Sequence, residues 1–294
     1  MANYLVKSII DDGNFRAYAV DTTNVVAEAQ RRHDTWSASS AALGRTMTGA
    51  ILLATSLMKG QETMTVKVQG DGPAKGIVVD ADAQGHVKGY IMNPHVHLPL
   101  NEQGHIDVSG AVGKNGALSV TKNLGLDQPY TGQVGLVSGE IGDDFTYYLA
   151  QSEQIPSAVG VSVFVENDNT IGVAGGFMIQ VLPGASDEAI TKLEATLKEM
   201  PLVSQLLRDG KTPEDILNDL FGEDRVKILE RVPVSFECNC SKEKFAGDLV
   251  SLPTADIQEM IDEGHGAEAV CRFCGNKYQF SEADLKQLLV DREA

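Results

Sequence analysis

No apolar run in the sequence is long enough to span a bilayer. The longest uncharged stretch, residues 46–58 between Arg45 and Lys59, falls short of the roughly 20 residues a membrane helix needs. It reads instead as part of a buried helix. The opening MANYLVKSIIDDG places a lysine and two aspartates, Asp11 and Asp12, where a secretory signal keeps apolar residues. The expectation is a cytoplasmic protein with no membrane partner. Positive charge is also scarce, with 24 Lys and Arg against 41 Asp and Glu, a net charge of −17. No basic segment hides behind that average, so a phosphate backbone would be repelled and no nucleic-acid partner is expected. Such a surface suits a protein that must expose apolar area without precipitating. Internal repeats, low-complexity runs and any readable Ser/His/Asp or paired-carboxylate arrangement are missing too.

What is present is 43% apolar residues, enough for a sizeable core in one large domain and a smaller one. Short β-rich runs at 4–10, 15–20, 64–68, 76–79, 87–92, 118–121, 133–137, 159–165 and 177–182 alternate with glycine turns, and 37–57 and 141–150 read as helices. The 29 glycines fall mainly among these strands, as a meandering, largely antiparallel sheet requires. The fold class expected is α+β, with residues 1–182 as an N-terminal α/β core and dimerisation domain. Residues 183–231 form a helical linker. Within it Ile190, Leu193, Leu197 and Met200 recur at helical spacing. Thr212-Pro213 then opens a helix carrying Ile216, Leu217, Leu220 and Phe221, and Gly222 closes it. Residues 232–294 are left as a unit of roughly 60 residues, a size at which an apolar core alone is marginal. A Thr254 cap and the Ser281-Glu282-Ala283-Asp284 box mark two helices in it.

That last segment holds every cysteine, as Cys238-x-Cys240 and, thirty residues on, Cys271-x-x-Cys274. Two close pairs separated by a loop are the layout of a tetrahedral sulfur site, and the expectation is one Zn2+ per chain held by all four thiolates. In CRFCGNKYQF, Gly275 permits a tight turn and Tyr278 and Phe280 can pack beneath it. An inert zinc module that only stabilises the tail has the same spacing. Grouped thiolates are also oxidisable, and each has a mate two or three residues away. Other candidates read more plainly. His265 lies between the pairs but is not needed as a ligand, and His95 and His97 read as a surface loop. Gly210-Lys211-Thr212 is a helix cap, and Gly70-Asp71-Gly72 a turn.

Beyond the cysteines, the stretches GQVGLVSGEIGDDFTYYLAQSEQIPSAVG at 132–160 and AGGFMIQVLPGA at 174–185, followed by CNC and CRFC, resemble the heat shock protein 33 family of redox-regulated chaperones. The resemblance runs over nearly the whole length. It implies an ATP-independent holdase, not an enzyme, that is zinc-bound and inactive when reduced. Oxidation with unfolding stress would activate it as a homodimer that binds unfolding client proteins. In that family neighbouring cysteines pair, which here implies Cys238 with Cys240 and Cys271 with Cys274. Two rivals are a thiol-disulfide oxidoreductase, which would want Cys-x-x-Cys at a helix N-terminus, and an acidic zinc-ribbon interaction module. The 6 basic and 12 acidic residues of 232–294 speak against a nucleic-acid ribbon. A further expectation concerns the linker: Ile190, Leu193, Leu197, Met200, Leu206, Leu217 and Leu220 should pack on the N-terminal sheet, latched there by the folded zinc unit.

Overall fold

The computed structural model describes residues 3–10 and 13–293. The aspartate pair Asp11 and Asp12 lies outside them. In chain order the strands are β1 (Tyr4–Ile10), β2 (Phe15–Asp21), β3 (Thr63–Gln69), β4 (Ile77–Asp82), β5 (His86–Ile91), β6 (Ala117–Asn123), β7 (Tyr130–Gly135), β8 (Ser157–Val165), β9 (Ile171–Val181), β10 (Val226–Pro233), β11 (Ser235–Phe236), β12 (Ala267–Val270) and β13 (Lys277–Phe280). The helices are α1 (Thr23–His33), α2 (Ser37–Leu57), α3 (Val108–Val112), α4 (Gly142–Gln151), α5 (Asp187–Glu199), α6 (Val203–Arg208), α7 (Pro213–Phe221), α8 (Lys242–Val250), α9 (Thr254–Asp262) and α10 (Glu282–Glu293).

The chain divides into two compact units, Met1–Glu237 and Cys238–Ala294. In the first, the strands form two sheets where the sequence suggested one meander. One runs β10-β1-β2-β9-β8 and the other β11-β5-β4-β3-β6-β7. All pairs are antiparallel except the short parallel join of β11 to β5. Helix α2 explains the division, because it is buried on every side and its apolar residues need cover all round. Its residues from Ala38 to Thr55 are buried, in a core shared with Leu5, Tyr18 and Val20 of one sheet and Val66, Val79 and Val87 of the other. The hydroxyls of Thr46, Thr48 and Thr55 donate to carbonyls one turn back, so they are buried without loss. At Gly49 the Phe145 ring fills the space a Cβ would take. Strands β3, β4 and β5 alternate buried with more exposed positions, the period of a sheet covered strongly on one face.

The other sheet is covered on both. Its far face carries a second cluster in which Val6, Ile10, Phe15, Ala17 and Ile179 meet Leu193, Leu206, Leu217 and Leu220, with Ile190, Leu197 and Met200 packed around them. The cover expected from the linker is therefore present. Helix α7 begins as its sequence indicates: Thr212 Oγ1 accepts from Asp215 N at 3.2 Å, Thr212 N donates to Asp215 Oδ2 at 2.8 Å, and Pro213 takes the first helical position. Gly222 ends it at φ 90°. The helical reading of 183–231 does not extend to its end, since β10 is a strand paired with β1. Its VKILERVP run is β-branched and alternating, which favours an edge strand once β1 is beside it. Thr254 is also not a cap: Pro253 holds that place, without a side-chain bond.

The second unit is small. Ile257, Ile261, Phe280, Leu285 and Leu288 are its buried core, placed between α9, α10 and the hairpin β12-β13. Ser281 and Asp284 cap α10 reciprocally, at 2.9 and 3.2 Å.

Candidate metal centre

Cys271 and Cys274 sit in the turn joining β12 to β13. Gly275 N donates to Cys271 O at 2.8 Å and Cys271 N to Asn276 O at 2.9 Å, a closure that turns both sulfurs to one side. Gly275 makes this possible at φ 75°, in the left-handed region where a side chain is strained. The hairpin expected at CRFCGNKYQF is thus formed. Cys238 and Cys240 lie in the segment between β11 and α8, and Ser241 caps that helix by accepting from Lys244 N. The Tyr278 hydroxyl, on β13, lies 3.0 Å from Cys240 O and 3.2 Å from Cys240 Sγ, so its one O–H can go to either acceptor, tying the first pair to the second hairpin strand. Tyr278 stacks in turn on Phe245 of α8, centroids 5.3 Å apart.

The four sulfurs converge so that all lie within 4.8 Å of one another. Cys238 and Cys271 approach to 3.7 Å and Cys240 and Cys274 to 3.3 Å, with all four cysteines free. A tetrahedron with metal–sulfur bonds of about 2.3 Å has sulfurs about 3.8 Å apart, so the cluster is close to that size. Cys271 and Cys274 are buried and the other two half-buried. Burial pushes the Cys238 and Cys274 thiols up, away from the charged form. Burial acts the same way on Cys240, but hydrogen bonds from Tyr278 and the neighbouring thiols outweigh it and bring that group down to about 7. Four sulfurs this close cannot all ionise without a cation among them. The all-sulfur donor set, its convergence and its burial fit Zn2+.

Other residues singled out in the sequence stand elsewhere. His265 pairs with Glu263 at 3.3 Å and is not among the converging ligand atoms. His97 meets Ser37 Oγ at 2.8 Å, and His95 stacks on Trp36 and pairs with Asp34 at 3.3 Å. Lys211 of the Gly-Lys-Thr run pairs with Asp219 at 2.5 Å. Gly72 N donates to Val112 O in a turn packed too tightly for a Cβ. What spacing alone did not give is the close approach across the motifs, Cys238 to Cys271 at 3.7 Å and Cys240 to Cys274 at 3.3 Å.

Two sheets around a buried helix, a helical layer on the outer sheet face and a separate four-thiolate unit together define a class of layered α+β proteins with a C-terminal cysteine centre. A model of the Hsp33 protein matches residues 3–281, and the chain belongs to that family. It is 66% identical to the 33 kDa chaperonin of Levilactobacillus brevis over the full length of both chains. It is 57% identical to the 33 kDa chaperonin of Listeria monocytogenes over 98% of each. The crystal structure of the 33 kDa chaperonin of Thermotoga maritima superposes with a TM-score of 0.92 at 36% identity, covering 100% of this chain and 99% of that one.

Proposed function

We propose that this chain is a redox-regulated, ATP-independent holdase of the cytoplasm, silent while Cys238, Cys240, Cys271 and Cys274 hold Zn2+ and active as a homodimer when they are oxidised. The observation that carries the reading is the convergence of four sulfurs within 4.8 Å, in a unit whose apolar core is too small to hold it alone. A bound Zn2+ supplies the charge that lets four thiolates share one site, and in model peptides such binding amounts to about 10–16 kcal/mol, more than the whole stability of a small domain.

Oxidation removes the ligands. Two thiols lose two electrons and two protons to form one disulfide, and one hydrogen peroxide becomes two waters. Closing a loop of two or three residues costs less entropy than closing one across the thirty-residue gap, which favours Cys238 with Cys240 and Cys271 with Cys274. The chain passes from β11 straight into this unit at Cys238. Loss of order there would spread into β11, two residues long, and β10, whose outer edge is unpaired in its sheet. The linker layer comes next, and with it the apolar face it covers is released to unfolding clients. This linker of residues 183–231 is the switch, 1–182 the core and dimerisation domain, and 232–294 the sensor.

The test is to treat the reduced, zinc-loaded protein with peroxide at a mildly denaturing temperature, following zinc release, disulfides by peptide mapping, and aggregation of a thermally unfolding protein. Zinc release, neighbour disulfides and suppressed aggregation should rise together. Suppression that is equally strong before oxidation, or cross-pair disulfides such as Cys240 with Cys271, would contradict the reading.

A further inference from the structure

Two cavities flank one methionine at the joint between α5 and α6. The larger, about 220 Å3, is bounded by Thr196, Glu199, Leu206 and Leu220. The other, about 180 Å3, lies against the outer sheet and is bounded by Gly160, Phe177, Leu197 and Leu202. Met200 and Pro201 line both. Met200 ends α5 in extended backbone, is half-buried, and packs on the same apolar cluster as Leu193, Leu206 and Leu220. Its position combines two properties that rarely coincide: room for a small reagent beside the sulfur, and a place in the layer that holds the linker down.

We propose that Met200 is a second oxidant-sensitive site, converted to its sulfoxide by hypochlorous acid, and that this change loosens the linker without any change at the cysteines. The thioether lone pair attacks the chlorine of HOCl and hydroxide leaves; water then displaces chloride at sulfur and two protons are lost. The net change is thioether plus HOCl giving sulfoxide, one proton and chloride, with sulfur losing the two electrons that chlorine gains. Glu199 at the larger cavity disfavours the hypochlorite anion, while Asp219 there is paired with Lys211, and the neutral acid is the reagent. The product turns a flexible apolar side chain into one with a strong acceptor. Around it stand Leu197, Leu206, Leu220 and Phe177. Of the nearby hydroxyls, Thr196 donates its proton to Lys192 O at 3.0 Å, and Ser162 accepts from Ser204 N at 2.6 Å while keeping one O–H. Against these apolar side chains a half-buried sulfoxide oxygen is solvated less well than in water, which favours the conformation that exposes it, here the released linker.

The inference rests on the linker reading above only for its functional consequence. Zinc-loaded wild-type and Met200→Leu proteins, both with all four cysteines, are exposed to graded hypochlorous acid, and sulfoxides are mapped by peptide mass. The exposed Met92, 47% accessible, and the half-buried Met200 should oxidise ahead of Met47, Met64 and Met178, which are at most 1% accessible. At equal cysteine oxidation, proteolysis within residues 183–225 should be about threefold faster in wild type than in Met200→Leu, the scale of a partly solvated acceptor. Leucine keeps the volume, so the control should fold, and Met200→Gln should raise cleavage with no oxidant at all. The inference is overturned if Met200 oxidises no faster than Met47, or if Met200→Leu opens as readily as wild type. A linker that opens on Met200 oxidation without suppressing aggregation would support this inference and count against the holdase reading.

Discussion

Cys240 differs from Cys238 and Cys274 although they share one cluster. Burial works against its charge, yet the Tyr278 hydroxyl 3.2 Å away and the adjoining thiols bring it down to about 7, while burial drives Cys238 and Cys274 the other way. The thiolate is the reacting form, so at the onset of metal loss, while the unit still holds this geometry, Cys240 should be alkylated first. Its rate should rise through a midpoint near pH 7, because deprotonation increases with pH. Replacing Tyr278 with Phe removes a donor to the thiolate and should move that midpoint upward. Iodoacetamide labelling read by peptide mass across pH 5–10 measures both. Equal labelling of all four thiols, or no movement in Tyr278→Phe, would show that the hydroxyl does not set the order.

At the scale of elements, the linker helices form a layer on the outer sheet face whose packing is readable residue by residue. Leu193 is 7% accessible and lies in the cluster that α5 and α7 share with β1, β2 and β9. Leu193→Asp deletes that contact, for which Leu→Ala changes elsewhere cost about 2–5 kcal/mol, and adds a carboxylate that must find water. The variant should therefore suppress aggregation while still reduced and zinc-loaded, with residues 183–225 newly open to protease and the melting of the core sheets little changed. A variant that stays silent until oxidised, with its linker protected, would mean that release of this layer is not the activating step. Helix α2 behaves oppositely. Buried all round and locked by Phe145 against Gly49, it belongs to the part that should stay folded throughout.

The whole molecule joins two units of unequal self-sufficiency. The first has a continuous core running through two sheets and α2, whereas the second has five buried core residues and four converging cysteines. Chelation of the reduced protein should accordingly abolish amide-exchange protection across 238–293 while leaving β3, β4 and β6 protected, and zinc should restore it. Retained protection in the second unit without metal would identify its small core as sufficient.

The α+β class, the long helix at 37–57, most strands, the Thr212 and Ser281 caps, the apolar face of the linker and the four cysteines were all legible in the sequence. Each is written in spacing, capping chemistry or the period of apolar residues, which are local. The tertiary structure alone decided that the strands part into two sheets, because α2 is buried on every side. It also decided that residues 226–233 leave the helical layer to become an edge strand, since a β-branched run takes that form only when β1 stands beside it. The convergence of Cys238 with Cys271 and Cys240 with Cys274, and the cavities on either side of Met200, likewise depend on contacts between residues far apart in the chain, which no local pattern records.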